Sequence, residues 1–402
     1  MTVNITVQSI LALMKTAGKL DQMKLSRTER YVIQHIIDCH SKAMGLTYEV
    51  CPDCGHTILH YGSCNDRNCP MCGVLKRKKW ELQRQDDLLD AQYYHIIFTV
   101  PNVLNPLFNI DRAAMCSIML KAQRAAIEKL AKDKKYLGAV KTGMISIVHT
   151  WGQKLQLHPH VHSLLVAGGL DKDGNWITPK REDYLFPAKL LAKEFRDVFV
   201  KLLEKSDSEL ISNGYHGLAA LIEEVRKLKW NVEICEATSD PEHIIEYFAR
   251  YANRPAISNS RLVSYEDGKV TYKYKDNKQG GKECLETIQD TEFVRRFLVH
   301  ILPSGFQKIR NYGFLSNKSR KDMVPKIREL IGTKPQQKRD WRKKLVAFLE
   351  EFNKRKLREC PVCHHRMLMG RTITDTYSET LYQPNELSRL EKELNLTLEE
   401  VP

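Results

Sequence analysis

The chain of 402 residues carries 63 Lys and Arg against 49 Asp and Glu, a formal charge of +14. Its 42% hydrophobic and 28% charged residues exclude a disordered or fibrous chain, and its length suits two or three domains with a sizeable core. No apolar run reaches the roughly 18–20 residues of a membrane span, and MTVNITVQSILALMKTAGKL lacks the basic start and cleavage site of a secretory signal. A cytoplasmic protein without membrane attachment is expected. The positive charge favours a polyanionic partner, nucleic acid above all. Eleven cysteines, most of them clustered, point in a reducing compartment to metal rather than disulfides.

In chain order, residues 1–45 have helix-like apolar spacing, with Tyr31, Ile33, Ile36 and Ile37 as examples. Residues 50–73 are rich in cysteine and turns. Strands and helices then alternate: strand at Tyr94–Val100, helix at Ala113–Leu130, strands at Met144–Trp151 and His160–Ala167, helices at Ala188–Leu203 and Pro241–Tyr251, and a hairpin over Arg261–Tyr274 turning at Glu266-Asp267-Gly268. Residues 318–358 hold fifteen Lys and Arg against five Asp and Glu and read as basic helix; 371–402 form an acidic tail. This divides the chain into an N-terminal helical and zinc-binding region (1–90), a mixed region (91–318) and a basic C-terminal region (319–402).

Residues 51–72 read CPDCGHTILHYGSCNDRNCPMC. Two tight Cys-x-x-Cys turns can present four thiolates to one zinc ion, so Cys51, Cys54, Cys69 and Cys72 are the expected structural site, with four protein ligands and no open position for chemistry. Cys64, His56 and His60 are possible substitutes. Cys360-Pro-Val-Cys363-His364-His365 offers half of a second site, to be completed from elsewhere in the fold.

The run from Ile145 to Val166 contains His149, His158, His160 and His162. A strand's period of two puts His160 and His162 on one face, about 6–7 Å apart along the strand. If 145–151 pairs with 160–166, His149 lies opposite and supplies a third ligand; Gln153 or Glu246 could replace it. Three imidazoles leave coordination positions open, as a catalytic metal requires. His158 is expected at the rim, because Pro159 should break the strand. Further on, Tyr247 and Tyr251 are four apart on one helix face, and so are Arg250 and Arg254 on the next. Guanidinium groups there suit phosphate and stabilise a phenolate.

The Cys-x-x-Cys ribbon, HTWGQKLQLHPHVH, YFARYANRPAIS and HILPSGFQKIRNYGFLSN, in this order, resemble the rolling-circle insertion-sequence transposases of the IS ninety-one type, a branch of the His-hydrophobic-His single-strand endonucleases. The likeness spans roughly 30–318. It implies an α+β fold, with a central antiparallel sheet flanked by helices in the catalytic domain, a helical segment and zinc ribbon before it and a basic helical region after it. It also implies that His160 and His162 are the paired ligands with Val161 between, that His149 is the third, and that Tyr247 and Tyr251 are the two nucleophiles.

The expected activity is nicking and rejoining of single-stranded DNA at transposon ends through a 5′-phosphotyrosine, in a bacterial cytosol. Mg²⁺ or Mn²⁺ would serve the histidines, and zinc the cysteines. No Gly-rich phosphate loop is present, so no nucleotide cofactor is expected. DNA contacts are expected from Lys76, Arg77, Lys78, Lys79, Arg250, Arg254 and Arg310, with Trp151 and Tyr312 stacking on bases. The rival readings are a non-catalytic zinc-ribbon regulator and a hydrolase that uses metal-activated water.

Overall fold

The computed structural model describes residues 5–181, 184–235, 241–333 and 340–369. The acidic tail lies outside them. The N-terminal part comprises α1 (Val7–Thr16), α2 (Arg27–Asp38), β1 (Leu46–Val50), β2 (Thr57–Tyr61) and α3 (Gly73–Gln85). Next come β3 (Tyr93–Thr99), α4 (Asn105–Ile110), α5 (Arg112–Lys132), β4 (Lys141–Trp151), β5 (Leu157–Leu170), β6 (Trp176–Ile177), α6 (Ala188–Glu204), α7 (Asp207–Ser212), α8 (Leu218–Lys227), β7 (Asn231–Ile234) and α9 (Pro241–Ala249). The rest is β8 (Leu262–Glu266), β9 (Lys269–Asp276), β10 (Lys282–Gln289), α10 (Asp290–Leu298), β11 (Ile309–Gly313), α11 (Arg320–Leu330), α12 (Trp341–Asn353) and β12 (Leu368–Met369). Local chemistry starts several helices where they start. Ser26 and Glu29 cap α2 reciprocally, and the Asp111 carboxylate accepts from the Ala114 N–H at the head of α5.

The expected α+β fold is borne out. Its centre is an antiparallel sheet in the order β11-β4-β5-β3-β7, with β6 on the end of β5. β4 and β5 are buried along almost their whole length because both faces are covered. Met144, Val148, Val161 and Leu165 point to the side of α5 and α6. Ile145, Ile147, Leu164 and Val166 point to the other side, under α9 and α11. The register of β4 on β5 is held by a closed polar knot in this apolar setting. Ser146 stands opposite Ser163 with their hydroxyls 3.1 Å apart, and both bond the buried Gln123 amide of α5, at 3.0 and 2.9 Å. A slip of one residue would break all three bonds and turn every side chain to the wrong face.

β5 runs unbroken through Pro159, contrary to the expected break. β3 ends its pairing at Thr99 opposite His160, so the flank of β5 beyond that point has no β3 partner for a proline to disrupt. His158 is accordingly a strand residue. The expected α9 is shorter than Pro241–Tyr251: the helix ends at Ala249 and Tyr251 follows in a turn, its N–H bonded to the Phe248 carbonyl.

A second layer joins distant parts of the chain. α1 and α2 pack with α10 and with the β10-β9-β8 sheet in one core that includes Ile10, Ile36, Tyr272 and Phe297. His300 ties this layer to the site. It accepts from the Thr150 hydroxyl (3.1 Å) through Nδ1 and donates to the Leu155 carbonyl (3.0 Å) through Nε2. Burial pushes its pKa down to about 3, so the native state keeps it neutral. The unfolded chain takes up that proton below about 6.5, so stability must fall as pH drops from there towards 3, by up to about 1.4 kcal/mol per pH unit for this group. In urea unfolding, His300→Gln should be about 1–3 kcal/mol less stable than the parent at pH 7. At pH 5 most of that gap should be gone; an unchanged gap would show that His300 is not the neutral buried group described.

Candidate active site and metal centres

The β4–β5 register sets His149 directly opposite His160 and Ile147 opposite His162, so the three imidazoles share one sheet face. A nitrogen from each lies within 4.8 Å of the others. Each ring has one nitrogen committed elsewhere. His149 Nε2 donates to the Tyr251 carbonyl (2.8 Å), His160 Nδ1 donates to the His158 carbonyl (2.7 Å), and His162 Nδ1 pairs with His95 Nε2 (3.0 Å). The remaining nitrogen of each ring is left for a cation, and the outer bonds hold the rings in place. Burial keeps all three neutral: the pKa of His160 is pushed down to about 4, and those of His149 and His162 fall well below the usual range. Neutral imidazole is the ligating form, so the residues present fit a divalent ion. Gln153 lines the same groove, whereas Glu246 is exposed on α9 and stands outside the cluster.

α9 brings the tyrosines to this face. Ile244, Ile245 and Phe248 anchor it in the core beneath. The Tyr251 ring lies over His162 with centroids 4.0 Å apart, and its hydroxyl is 2.8 Å from that of Tyr247, which is 43% exposed. Burial and the Tyr247 bond push the Tyr251 phenol above its usual range, and the Arg254 charge opposes them. His95, on β3, completes the cage: its ring is 5.3 Å from Tyr251 and 5.6 Å from Tyr247. A groove of about 810 Å³ opens in front, with Lys154, Arg254, Arg261, Lys275 and Lys278 outnumbering Glu233 and Asp276 along its walls. Trp151 lines it too, stacked on His149 at 4.3 Å.

The other expected DNA contacts are scattered. Arg250 lies beside the Tyr247 ring at 5.9 Å, and Arg77 is close enough to Arg254 to act on its charge. Lys76 donates to the Asn65 carbonyl, Lys78 pairs with Glu81 at 2.6 Å, and Lys79 sits over Trp341. Arg310 and Tyr312 are not brought to the groove. On β11 they stand opposite Ser146 and Met144, so they project towards α5, on the far face of the sheet from the histidines. There Arg310 bonds Ser117, and Tyr312 packs on Arg124 and bonds the Leu120 carbonyl.

The thiols are distributed differently from the expected Cys51/Cys54/Cys69/Cys72 set. Cys69 and Cys72 converge with Cys39 and Cys64, with all four sulfurs within 4.8 Å, while Cys51 and Cys54 lie beside Cys360 and Cys363. The β1–β2 hairpin explains the split. It carries the Cys51–Cys54 turn at its tip, and the chain then runs back along β2, about 13 Å by strand rise, to the base where Cys39 ends α2. Cys64 is thus a member of the first cluster. His56 and His60 belong to neither, and His60 pairs with Glu49 at 3.2 Å. Bonds from Cys64 and Cys69 hold the Cys72 thiol well below its usual range, while the Cys69 thiol is driven up to about 12. Four crowded thiols can all ionise only around a cation, and this donor set fits zinc.

Comparison with known proteins agrees with this picture. A family described as "Transposase zinc-binding domain" matches residues 12–100, which include Cys39, Cys64, Cys69 and Cys72, and one described as "Putative transposase" matches 143–322, which include the three histidines and both tyrosines. The chain is 35% identical over 375 residues to "Putative transposase y4qJ" of Sinorhizobium fredii, covering 89% of this chain and 93% of that protein. It is 27% identical over 334 residues to "Transposase for insertion sequence element IS801" of Pseudomonas savastanoi pv. phaseolicola, covering 78% and 77%. No solved structure matches the chain. The chain belongs to the insertion-sequence transposases of the IS91 type. No helix among the described residues is long and apolar enough to cross a membrane.

Two members of these sites escape the sequence reading. His95 is a single histidine in the apolar strand YYHIIFT, and only the β3–β5 register reveals what it meets. Cys39 is a single cysteine at the end of α2, with no motif around it. As a ligand, Cys39 is required for binding: Cys39→Ser should lower bound zinc by one equivalent in elemental analysis, and so should Cys72→Ser. Cys116→Ser, on the buried face of α5 and away from either cluster, should change nothing; a Cys39→Ser protein with full zinc would remove Cys39 from the site.

Proposed function

We propose that this transposase nicks and rejoins single-stranded DNA by tyrosine transesterification, with Tyr251 as the first nucleophile and Tyr247 as the second. The observation that carries the reading is the seat of Tyr251 against His162, with Tyr247 one hydrogen bond away. His149, His160 and His162 would hold Mg²⁺ or Mn²⁺, which supplies charge to polarise the scissile phosphate. Tyr251 loses its proton to solvent, and the phenolate, favoured by Arg254, attacks the phosphorus in line. A bond from phosphorus to the tyrosine oxygen forms as the bond to the 3′ oxygen breaks, leaving a 5′-phosphotyrosine and a free 3′-hydroxyl. The phosphodiester energy is conserved, so rejoining requires no nucleotide. Tyr247 then holds one strand end while the other is resolved, which suits movement of one strand in a rolling-circle manner.

The chain's remaining work is positioning and charge neutralisation. The cationic walls of the groove track the backbone, and Trp151 offers a face for a base. Names of the two relatives, both transposases, support DNA as the substrate.

The test uses labelled single-stranded oligonucleotides from candidate element ends with Mg²⁺ or Mn²⁺, resolved on a denaturing gel. A covalent protein–DNA band is expected. It should disappear in the Tyr247→Phe/Tyr251→Phe double variant, and His160→Ala or His162→Ala should lower cleavage by more than about 100-fold while binding persists and stays salt-sensitive. Cleavage without a covalent band would instead indicate attack by water, and full trapping in the double variant would exclude these nucleophiles.

A further inference from the structure

The cluster formed by Cys51, Cys54, Cys360 and Cys363 lies outside the chemistry above, and half of it lies beyond both matched families. Its sulfurs approach at 3.3 Å (Cys51–Cys363), 3.4 Å (Cys54–Cys363) and 3.5 Å (Cys54–Cys360). These are not disulfides, whose sulfurs stand about 2.05 Å apart. They are close to the spacing of about 3.8 Å between the corners of a tetrahedron with Zn–S bonds of about 2.3 Å.

The two Cys-Pro-x-Cys turns are also built alike, although 309 positions separate Cys51 from Cys360. In the first, the Cys51 N–H donates to the His56 carbonyl (2.9 Å) and the Gly55 N–H to the Cys51 carbonyl (2.9 Å). In the second, the Cys360 N–H donates to the His365 carbonyl (2.8 Å) and the His364 N–H to the Cys360 carbonyl (3.0 Å). The residue after the second cysteine is left-handed in both, with φ of 72° at Gly55 and 61° at His364. A non-glycine residue takes that conformation when the loop around it requires it. The same turn, made twice and facing itself, presents four thiols to one point. The neighbouring imidazoles look elsewhere: His364 bonds Glu359 and His365 is turned towards Asp53.

Little else holds this end of the chain. β12 adds only two residue pairs to β1, Glu49↔Met369 and Val50↔Leu368, and Arg355 pairs with the buried Glu49. α12 has no fully buried residue; it rests on α3 through Trp341 over Lys79 and Phe348 over Lys78. Apolar anchoring is confined to the buried Met367, packed with Ile58 beside the cysteines, and to the half-buried face of α12.

We infer that Cys51, Cys54, Cys360 and Cys363 hold a second structural zinc ion, which fastens the last described residues to the β1–β2 hairpin and sets α12, with Arg342, Lys343 and Lys344 in its first turn, against the basic α3 as one surface for DNA. The metal site stands on geometry alone; its consequence for DNA rests on the function proposed above. Elemental analysis of the full chain purified under reducing conditions should find two zinc ions, and the Cys360→Ser/Cys363→Ser variant one. Limited trypsin digestion should cut that variant between α11 and β12 at least tenfold faster. Its affinity for single-stranded oligonucleotide should fall roughly tenfold, while covalent trapping at saturating DNA persists. Should the variant not fold, cobalt substitution of the unmodified protein decides: thiolate-to-cobalt absorption equivalent to two four-sulfur sites supports the inference. One such site, a variant that retains two zinc ions, or oxidised cysteines in the reduced protein would overturn it. Unchanged DNA affinity in a folded one-zinc variant would overturn the role in DNA binding while leaving the site, and lost trapping in the parent chain would count against the proposed function instead.

Discussion

Everything at the candidate active site depends on the register between two central strands. The Ser146–Ser163–Gln123 knot lies three residues from His149 along β4 and three from His160 along β5. It costs nothing in unsatisfied polar groups, because each bond has its partner inside the apolar layer. With that register, three histidines from two strands share a face, and the face is the one that α9 covers. Without it, His149 would face α5 and no triad would exist. The polar residues in an otherwise apolar sheet thus specify position rather than add bulk stability.

The histidines, the tyrosines and the groove form a graded environment. At the sheet His149 and His162 are almost completely buried, neutral and oriented by outer hydrogen bonds. One layer out, Tyr251 is half-buried and bonded to Tyr247, which reaches solvent. Beyond them the groove is open and cationic. A buried site that can orient ligands, followed by an open cationic groove, suits the phosphoryl transfer proposed above. The tyrosines reach it because α9 stops at Ala249: the turn that follows lets the Tyr251 carbonyl accept from His149 while the ring covers His162.

Much of this was legible in the sequence where spacing alone decides geometry. Period two puts His160 and His162 together, four-residue spacing puts Tyr247 beside Tyr251, and alternation of strand and helix patterns fits the α+β fold that the structure shows. Pairings across long stretches of chain were not legible. Cys51 and Cys54 look made for Cys69 and Cys72, with only fourteen residues between the pairs, yet the hairpin there keeps them apart and each finds partners elsewhere. Cys39 and His95 carry no motif because their roles arise from neighbours 25 or more positions away. Arg310 and Tyr312 sit in a motif-like run, but strand parity turns them to the wrong face. Pro159 reads as a strand breaker only if the flank of β5 facing β3 is assumed to be paired there.

In the proposed reaction the tyrosine lying on the histidine cluster, Tyr251, is the one that attacks DNA. Tryptic mapping of the trapped protein–oligonucleotide adduct by mass spectrometry tests it most directly, because Arg250 lies between the two tyrosines and separates them into different peptides. After a single cleavage event the nucleotide should be on the peptide that begins at Tyr251. A nucleotide on the peptide that ends at Arg250 and carries Tyr247, on a peptide lacking both tyrosines, or on no peptide although the DNA is cleaved, would contradict it.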